Sequence, residues 1–159
     1  MSAANTGTQT IPALPLCASD ALAERGRAVV FDLVHRGEPM RAFALRIDGR
    51  VVAYLNRCAH RPVEMDWQPG DFLDALERRW IVCSMHGAHY DAASGRCVAG
   101  PCAGGALTPV PVREGDGRVW WQPGADLQPP PDRAAPLTAA ARQAPRGGCA
   151  DPGRPGVDS

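Results

Sequence analysis

Cys58-Ala59-His60 and, further along, Cys83-Ser84-Met85-His86-Gly87-Ala88-His89-Tyr90-Asp91 are the segments from which the rest of this chain can be read. Each offers one thiolate and one imidazole. Two thiolates on one iron and two imidazoles on the other form the ligand set of a mixed-ligand 2Fe–2S cluster. Only one residue separates Cys58 from His60, whereas zinc sites usually space their paired ligands by two or more.

Working outward, Trp80-Ile81-Val82 reads as a short buried strand delivering Cys83. A further strand is expected near His89, before the Ala93-Ser94-Gly95 turn leads into residues 96–98. Residues 28–34 and 41–47 read as strands, the latter alternating in part. Asp48-Gly49 is a tight hairpin signal joining the second of these to 51–55. Residues 107–112 and 118–121 form a last hairpin around Glu114-Gly115-Asp116-Gly117. One short helical turn is expected over 19–25, capped by Ser19 or Asp20 and stopped by Gly26. Many short strands at close spacing predict an all-β fold, an antiparallel sandwich or small barrel. The two ligand loops, about 56–66 and 83–105, form a small cluster-binding subdomain within a domain spanning 11–122.

The flanks differ in character. Residues 1–10 are expected to be loose. From Pro123 to Ser159 the chain is rich in Pro, Ala, Gly and Arg and lacks aromatic residues, so it reads as a disordered tail that cannot bury enough apolar surface to offset its ordering entropy. The 159 residues carry 17 acids against 17 bases, a balance that points to neither nucleic acid nor an anionic membrane as partner. All 17 bases are Arg, which in so Ala-, Gly- and Pro-rich a chain reflects genome composition rather than function. The first 15 residues lack the basic and apolar regions of a signal peptide. No apolar run approaches the ~18 residues of a membrane helix, so a soluble, cytoplasmic protein without a membrane anchor is expected. Of six cysteines, two belong to the ligand set, and Cys17, Cys97, Cys102 and Cys149 are expected as free thiols of a reducing compartment. Cys97 and Cys102 would meet if residues 98–101 fold back.

With its downstream elements the pattern resembles the Rieske family: C-x-H, a 22-residue interval, C-x-x-H-G, then Tyr90-Asp91, the Ser94-Gly95 turn, and Gly100-Pro101 where the family places its proline loop. The resemblance covers roughly residues 12–122. It implies one 2Fe–2S cluster, with Cys58 and Cys83 on the inner iron and His60 and His86 on the outer, solvent-edge iron. Tyr90 matches the tyrosine whose hydroxyl approaches a ligand sulfur. Gly87 serves a backbone turn, and Pro101 shields the cluster from water. High-potential members carry a bridging cysteine pair and a serine donor at the positions held here by Val63, Met85 and Ala88. Fewer donors to the sulfurs leave the reduced state less stabilised, so a potential in the low or middle part of the range of about −150 to +300 mV is expected.

No catalytic residue is expected. The chain has four histidines, two of them in the ligand loops, and so does not offer the separate two-His, one-carboxylate iron site of the large Rieske oxygenases. The reading is a small Rieske ferredoxin carrying electrons from a reductase to a terminal oxygenase or similar oxidoreductase, both docking at the His60/His86 tip. Two alternatives stand beside it: the small Rieske-type subunit of an NAD(P)H-dependent nitrite reductase, and a zinc-stabilised interaction module without redox role. His35 reads as a surface strand residue and His89 as a neighbour of the second loop. Trp67, Trp80, Trp120 and Trp121 read as core and rim packing. Arg57 and Arg61 flank the first loop, as solvating charges or as guides for an acidic partner.

Overall fold

Three two-residue turns, Arg36-Gly37, Asp48-Gly49 and Asp116-Gly117, organise the body of the molecule. Both central residues of each have positive φ, the geometry whose twist matches the flanking strands of a tight hairpin. The computed structural model describes residues 11–133, so the expected loose segment 1–10 lies outside the described residues. The strands are β1 (Leu14–Ala18), β2 (Val29–His35), β3 (Glu38–Ile47), β4 (Arg50–Leu55), β5 (Trp80–Val82), β6 (His89–Asp91), β7 (Cys97–Ala99), β8 (Val112–Gly115), β9 (Arg118–Trp121) and β10 (Leu127–Gln128). They form three antiparallel sheets in the orders β1-β9-β8, β10-β2-β3-β4 and β5-β6-β7. The all-β expectation holds. Helix among the described residues is confined to two 3-10 turns, Ser19–Ala21 and Pro131–Arg133.

The central sheet divides two cores, and strand alternation decides which residue serves which. Along β3, Phe43, Leu45 and Ile47 face the core beneath the ligand loops, while Ala42 and Ala44 face the core shared with β9. Along β4, Tyr54 joins the first set and Ala53 and Leu55 the second. Successive side chains of a strand point to opposite faces, so a strand covered on both sides reads as a nearly continuous apolar run. Phe43 stacks on Phe72 with ring centroids 3.7 Å apart, tying the sheet to the segment that leads into β5.

Several expectations are corrected. The helical turn over 19–25 is only the 3-10 turn Ser19–Ala21, without a side-chain cap; the Ser19 hydroxyl donates to the Glu114 carboxylate instead. The last hairpin begins at Val112 rather than at 107, because Pro109 and Pro111 interrupt the ladder that 107–112 would need. β1 escaped the sequence reading because Pro15 sits inside it. It lies at the edge of its sheet, with a register shift between Pro15 and Cys17, which is where a strand tolerates proline. The expectation of a disordered tail from 123 is corrected for residues 123–133, because Leu127 and Gln128 pair with His35 and Val34 of β2 and ordered structure continues to Arg133. The remainder of that expected tail lies outside the described residues.

Candidate metal centre

Each expected ligand loop leaves a strand and is closed at its base, the first by polar side chains and the second by backbone hydrogen bonds. The first leaves β4 at Leu55. Asn56, only 5% exposed, gives its amide N–H to Asp66 Oδ1 at 2.7 Å and accepts the Met65 amide on Oδ1 at 2.8 Å. Asp66 in turn accepts the Gly70 amide at 3.2 Å. Residues 57–65 are thus held as a closed excursion, tightened inside by Cys58 N–H donating to the Val63 carbonyl at 3.0 Å. The second loop leaves β5 at Val82 and returns at β6. Cys83 N–H donates to Ala88 O at 2.8 Å, and Gly87 N–H to Cys83 O at 3.0 Å. A third bond, Ser84 N–H to Met65 O at 2.9 Å, fastens the two loops together.

This brings the four expected ligands to one end of the molecule. Cys58 and Cys83 are buried in the core beneath the loops. The His60 and His86 rings lie above, their centroids 5.2 Å apart and nearly perpendicular. His60 Nδ1 is buried without a hydrogen-bond partner. A buried polar atom left unpaired is rare and costs about 1–3 kcal/mol; a ring nitrogen aimed at a metal needs no proton donor or acceptor. The donor set of two thiols and two imidazoles, with an orphaned nitrogen among them, fits a mixed-ligand 2Fe–2S cluster. No group of three or more His, Cys, Asp or Glu side chains that could hold a metal ion occurs among the described residues.

The polar surroundings discriminate between the thiols. The Tyr90 hydroxyl lies 3.1 Å from Cys58 Sγ and accepts the Ala59 amide at 3.0 Å. Burial works to raise the Cys58 thiol, but the Tyr90 hydroxyl, the Arg61 and His60 amides and the Cys83 thiol outweigh it, leaving Cys58 more acidic than an ordinary cysteine. Cys83 shifts the other way, raised by burial and by neighbouring Cys58 against the amides of Met85 and His86. Burial and the bond to Cys58 hold the Tyr90 phenol well above its usual range.

A third loop closes over the second. Cys97 and Cys102 are bonded as a disulfide with Cα atoms 5.7 Å apart, so the expectation of free thiols is corrected for this pair; Cys17 is free, and Cys149 lies outside the described residues. The Gly100 backbone comes so near the second ligand loop that a Cβ there would sit 2.7 Å from Gly87 O. Gly105 also approaches the first loop, 3.0 Å from Ala59 Cβ by the same measure. Pro101, expected as the shield, is itself exposed, and Gly100 makes the close approach. Gly87 adopts φ of 73° at an exposed turn, and Ala88 is buried behind it. His89 Nδ1–H donates to Gly87 O at 2.7 Å, and His35 sits half-buried on β2. Of the tryptophans, Trp121 is core and Trp80 and Trp120 lie half-buried beneath Arg79 and Arg113, but Trp67 is 83% exposed and packs in neither core. The sequence reading missed Asn56 and Asp66. Their signal is two polar residues at the ends of a loop, which acquires meaning only once the ends are known to meet.

A family model described as Rieske [2Fe-2S] domain matches residues 13–113. No curated protein matches the chain. Among solved structures, it is similar to the terminal oxygenase of carbazole 1,9a-dioxygenase from Novosphingobium sp. KA1, with 26% identity and a TM-score of 0.54 over 74% of this chain and 31% of that one. It is also similar to the ferredoxin of carbazole 1,9a-dioxygenase from Nocardioides aromaticivorans IC177, with 22% identity and a TM-score of 0.56 over 72% of this chain and 100% of that one. The chain therefore spans about a third of the length of the oxygenase, and its likeness to the ferredoxin is one of fold.

Proposed function

This chain belongs to the Rieske 2Fe–2S domain family, and we propose that it works as a soluble ferredoxin, taking one electron from a reductase and passing it to a terminal oxygenase or similar oxidoreductase. Cys58 and Cys83 would hold the buried iron, and His60 and His86 the outer one. When bound, the cluster supplies a one-electron site, less negatively charged than an all-thiolate cluster because its two imidazoles are neutral. The observation that carries the ligand assignment is the unpartnered, buried Nδ1 of His60 beside His86 and the two thiols.

The protein's own part is to position and to insulate. Asn56 and Asp66 close the first loop, the Ser84 amide fastens the second to it, and the Gly100 loop covers the second from outside. His86 and Met85 remain exposed, so the imidazole edge is the short route to a partner docked on the tip. In this reading the chain is an electron-transfer component and not a catalyst, and its setting is cytoplasmic. No helix among the described residues is long and apolar enough to cross a membrane.

Replacing His60 or His86 with Ala tests the assignment. Each variant is expected to lose iron, acid-labile sulfide and the reduced-state EPR signal with average g below the free-electron value, while keeping the far-UV spectrum of a β protein. A native cluster spectrum in either variant would refute it. One zinc and no iron, after cluster reconstitution of the parent, would leave a structural module in its place.

A further inference from the structure

Beside the tip, a cleft of about 240 Å³ runs between the first ligand loop and the segment ahead of β8. Its lining includes Arg57, His60, Arg61, Pro62, Ala106 and Thr108 and contains no carboxylate. Arg57 and Arg61 are both exposed, and neither has an ion-pair or hydrogen-bond partner for its guanidinium among the described residues. Most other arginines of the body are engaged. Arg25, Arg36, Arg41, Arg46 and Arg78 pair with Asp48, Asp126, Glu64, Glu114 and Asp71, and Arg79 and Arg113 lie over Trp80 and Trp120.

Three carboxylates of the neighbouring segments are bonded to groups other than Arg57 and Arg61. Glu64 holds Arg41 through both oxygens, at 2.8 and 2.6 Å. Asp66 is bound to Asn56 and Gly70, and Asp91 to Ser94. The chain has zero formal net charge, and in this cleft two guanidiniums stand without a carboxylate in the lining. Met85, 54% exposed, adds an apolar contact on the second loop.

We propose that this cleft is a carboxylate-binding site, and that the electron-transfer partner docks by placing an Asp or Glu side chain between Arg57 and Arg61, against an apolar contact to Met85. Guanidinium forks match carboxylate geometry and are weakly hydrated. Complementary charge at the rim of a docking face chiefly sets the association rate and the choice of partner. The proposal rests on the ferredoxin reading for the identity of the partner, but not for the site itself.

The site is tested by calorimetric titration of the full chain with hexaglutamate at low salt, which does not depend on the cluster. Saturable binding is expected, weakened ~10-fold or more by Arg57→Glu with Arg61→Glu and retained by Arg50→Glu with Arg118→Glu, which makes the same charge change outside the cleft. Equal loss in both double variants would reduce the effect to net charge and overturn the site. Its place in electron transfer is tested on the reduced, cluster-loaded protein with two oxidants of opposite charge, ferricyanide and tris(phenanthroline)cobalt(III), each accepting one electron. Oxidation by the anion is expected to slow with rising salt and by ~10-fold in the Arg57/Arg61 variant at low salt. Oxidation by the cation is expected to respond in the opposite sense. Salt slopes unchanged by the double substitution would detach the cleft from the electron path, even if hexaglutamate binds.

Discussion

The Tyr90 hydroxyl faces the Cys58 sulfur, and with Cys58 as a thiolate, which has no proton to give, the hydroxyl is the donor of the pair. It sits 3.1 Å from the Sγ while accepting the Ala59 amide at 3.0 Å, so its single proton is free for the sulfur. A donor to a ligand sulfur stabilises the reduced, more negative state of a cluster. Tyr90→Phe is therefore expected to lower the reduction potential by ~40 mV, equivalent to ~1 kcal/mol for one electron. Protein-film voltammetry of the two proteins measures it, and an unchanged potential would show that the bond does not reach the redox state. The parent itself is expected in the low or middle part of the family range, since Val63, Met85 and Ala88 offer neither a second bridge nor a hydroxyl there; a value above about +200 mV would contradict this.

The Cys97–Cys102 bridge closes a loop with a sequence separation of 5. The chain-entropy relation assigns ~2 kcal/mol to so short a closure, about 6–10 °C in Tm for a domain of this size. Cys97→Ser with Cys102→Ser is expected to melt lower by that amount, and a dithiol reductant to lower the parent towards the same point. A cytoplasmic setting places this pair under continual reductive pressure. Equal melting temperatures with and without reductant would mean that the two sulfurs are not bonded in solution.

Gly100 and Gly104 separate two reasons for glycine. Both have positive φ, 85° and 75°, but a Cβ at Gly104 meets nothing within 4 Å whereas at Gly100 it lies 2.7 Å from Gly87 O. Gly104→Ala is expected to cost only the left-handed penalty, ~1 kcal/mol. Gly100→Ala adds overpacking against the second ligand loop and is expected to cost ~2–4 kcal/mol, with faster loss of iron to a chelator. Urea melts and chelation rates of the pair give the comparison. Similar values for both would remove the close approach as the cause.

Acid stability should follow Glu114. The Arg46 guanidinium, with help from the Ser19 hydroxyl, holds this carboxyl at about 2, below its ordinary 4.5. A depressed folded-state value contributes stability in full above the ordinary pKa and loses it as pH falls from about 4.5 towards 2. Glu114→Gln is therefore expected to melt below the parent at neutral pH, with the gap closing across that acid window. A gap that stays constant down to pH 2 would place the ionic contribution elsewhere.

How much could be read in advance follows from the range of the physics involved. The ligand pairs are local: Cys58 and His60 share one loop, Cys83 and His86 another, and the chemistry of each is written within a few positions. Hairpin turns are local too, and Asp48-Gly49 and Asp116-Gly117 declare themselves through the positive φ that glycine permits. The sequence alone therefore determined an all-β fold and the position of two loops whose Cys and His side chains are the proposed ligands. The tertiary structure decided what depends on groups distant in the chain. Tyr90 reaches Cys58 across 32 positions, and Asn56 and Asp66 acquire their role only when both ends of a loop are brought together. Leu127 becomes a strand residue only because His35 of β2 leaves an edge to pair with. For Arg57 and Arg61 the sequence left two readings open, solvating charges or guides for an acidic partner, and only the structure shows them lining one cleft without a carboxylate in it. Such features rest on pairings between separated segments, and pairing is settled by the packing of the whole chain, not by the composition of any one stretch.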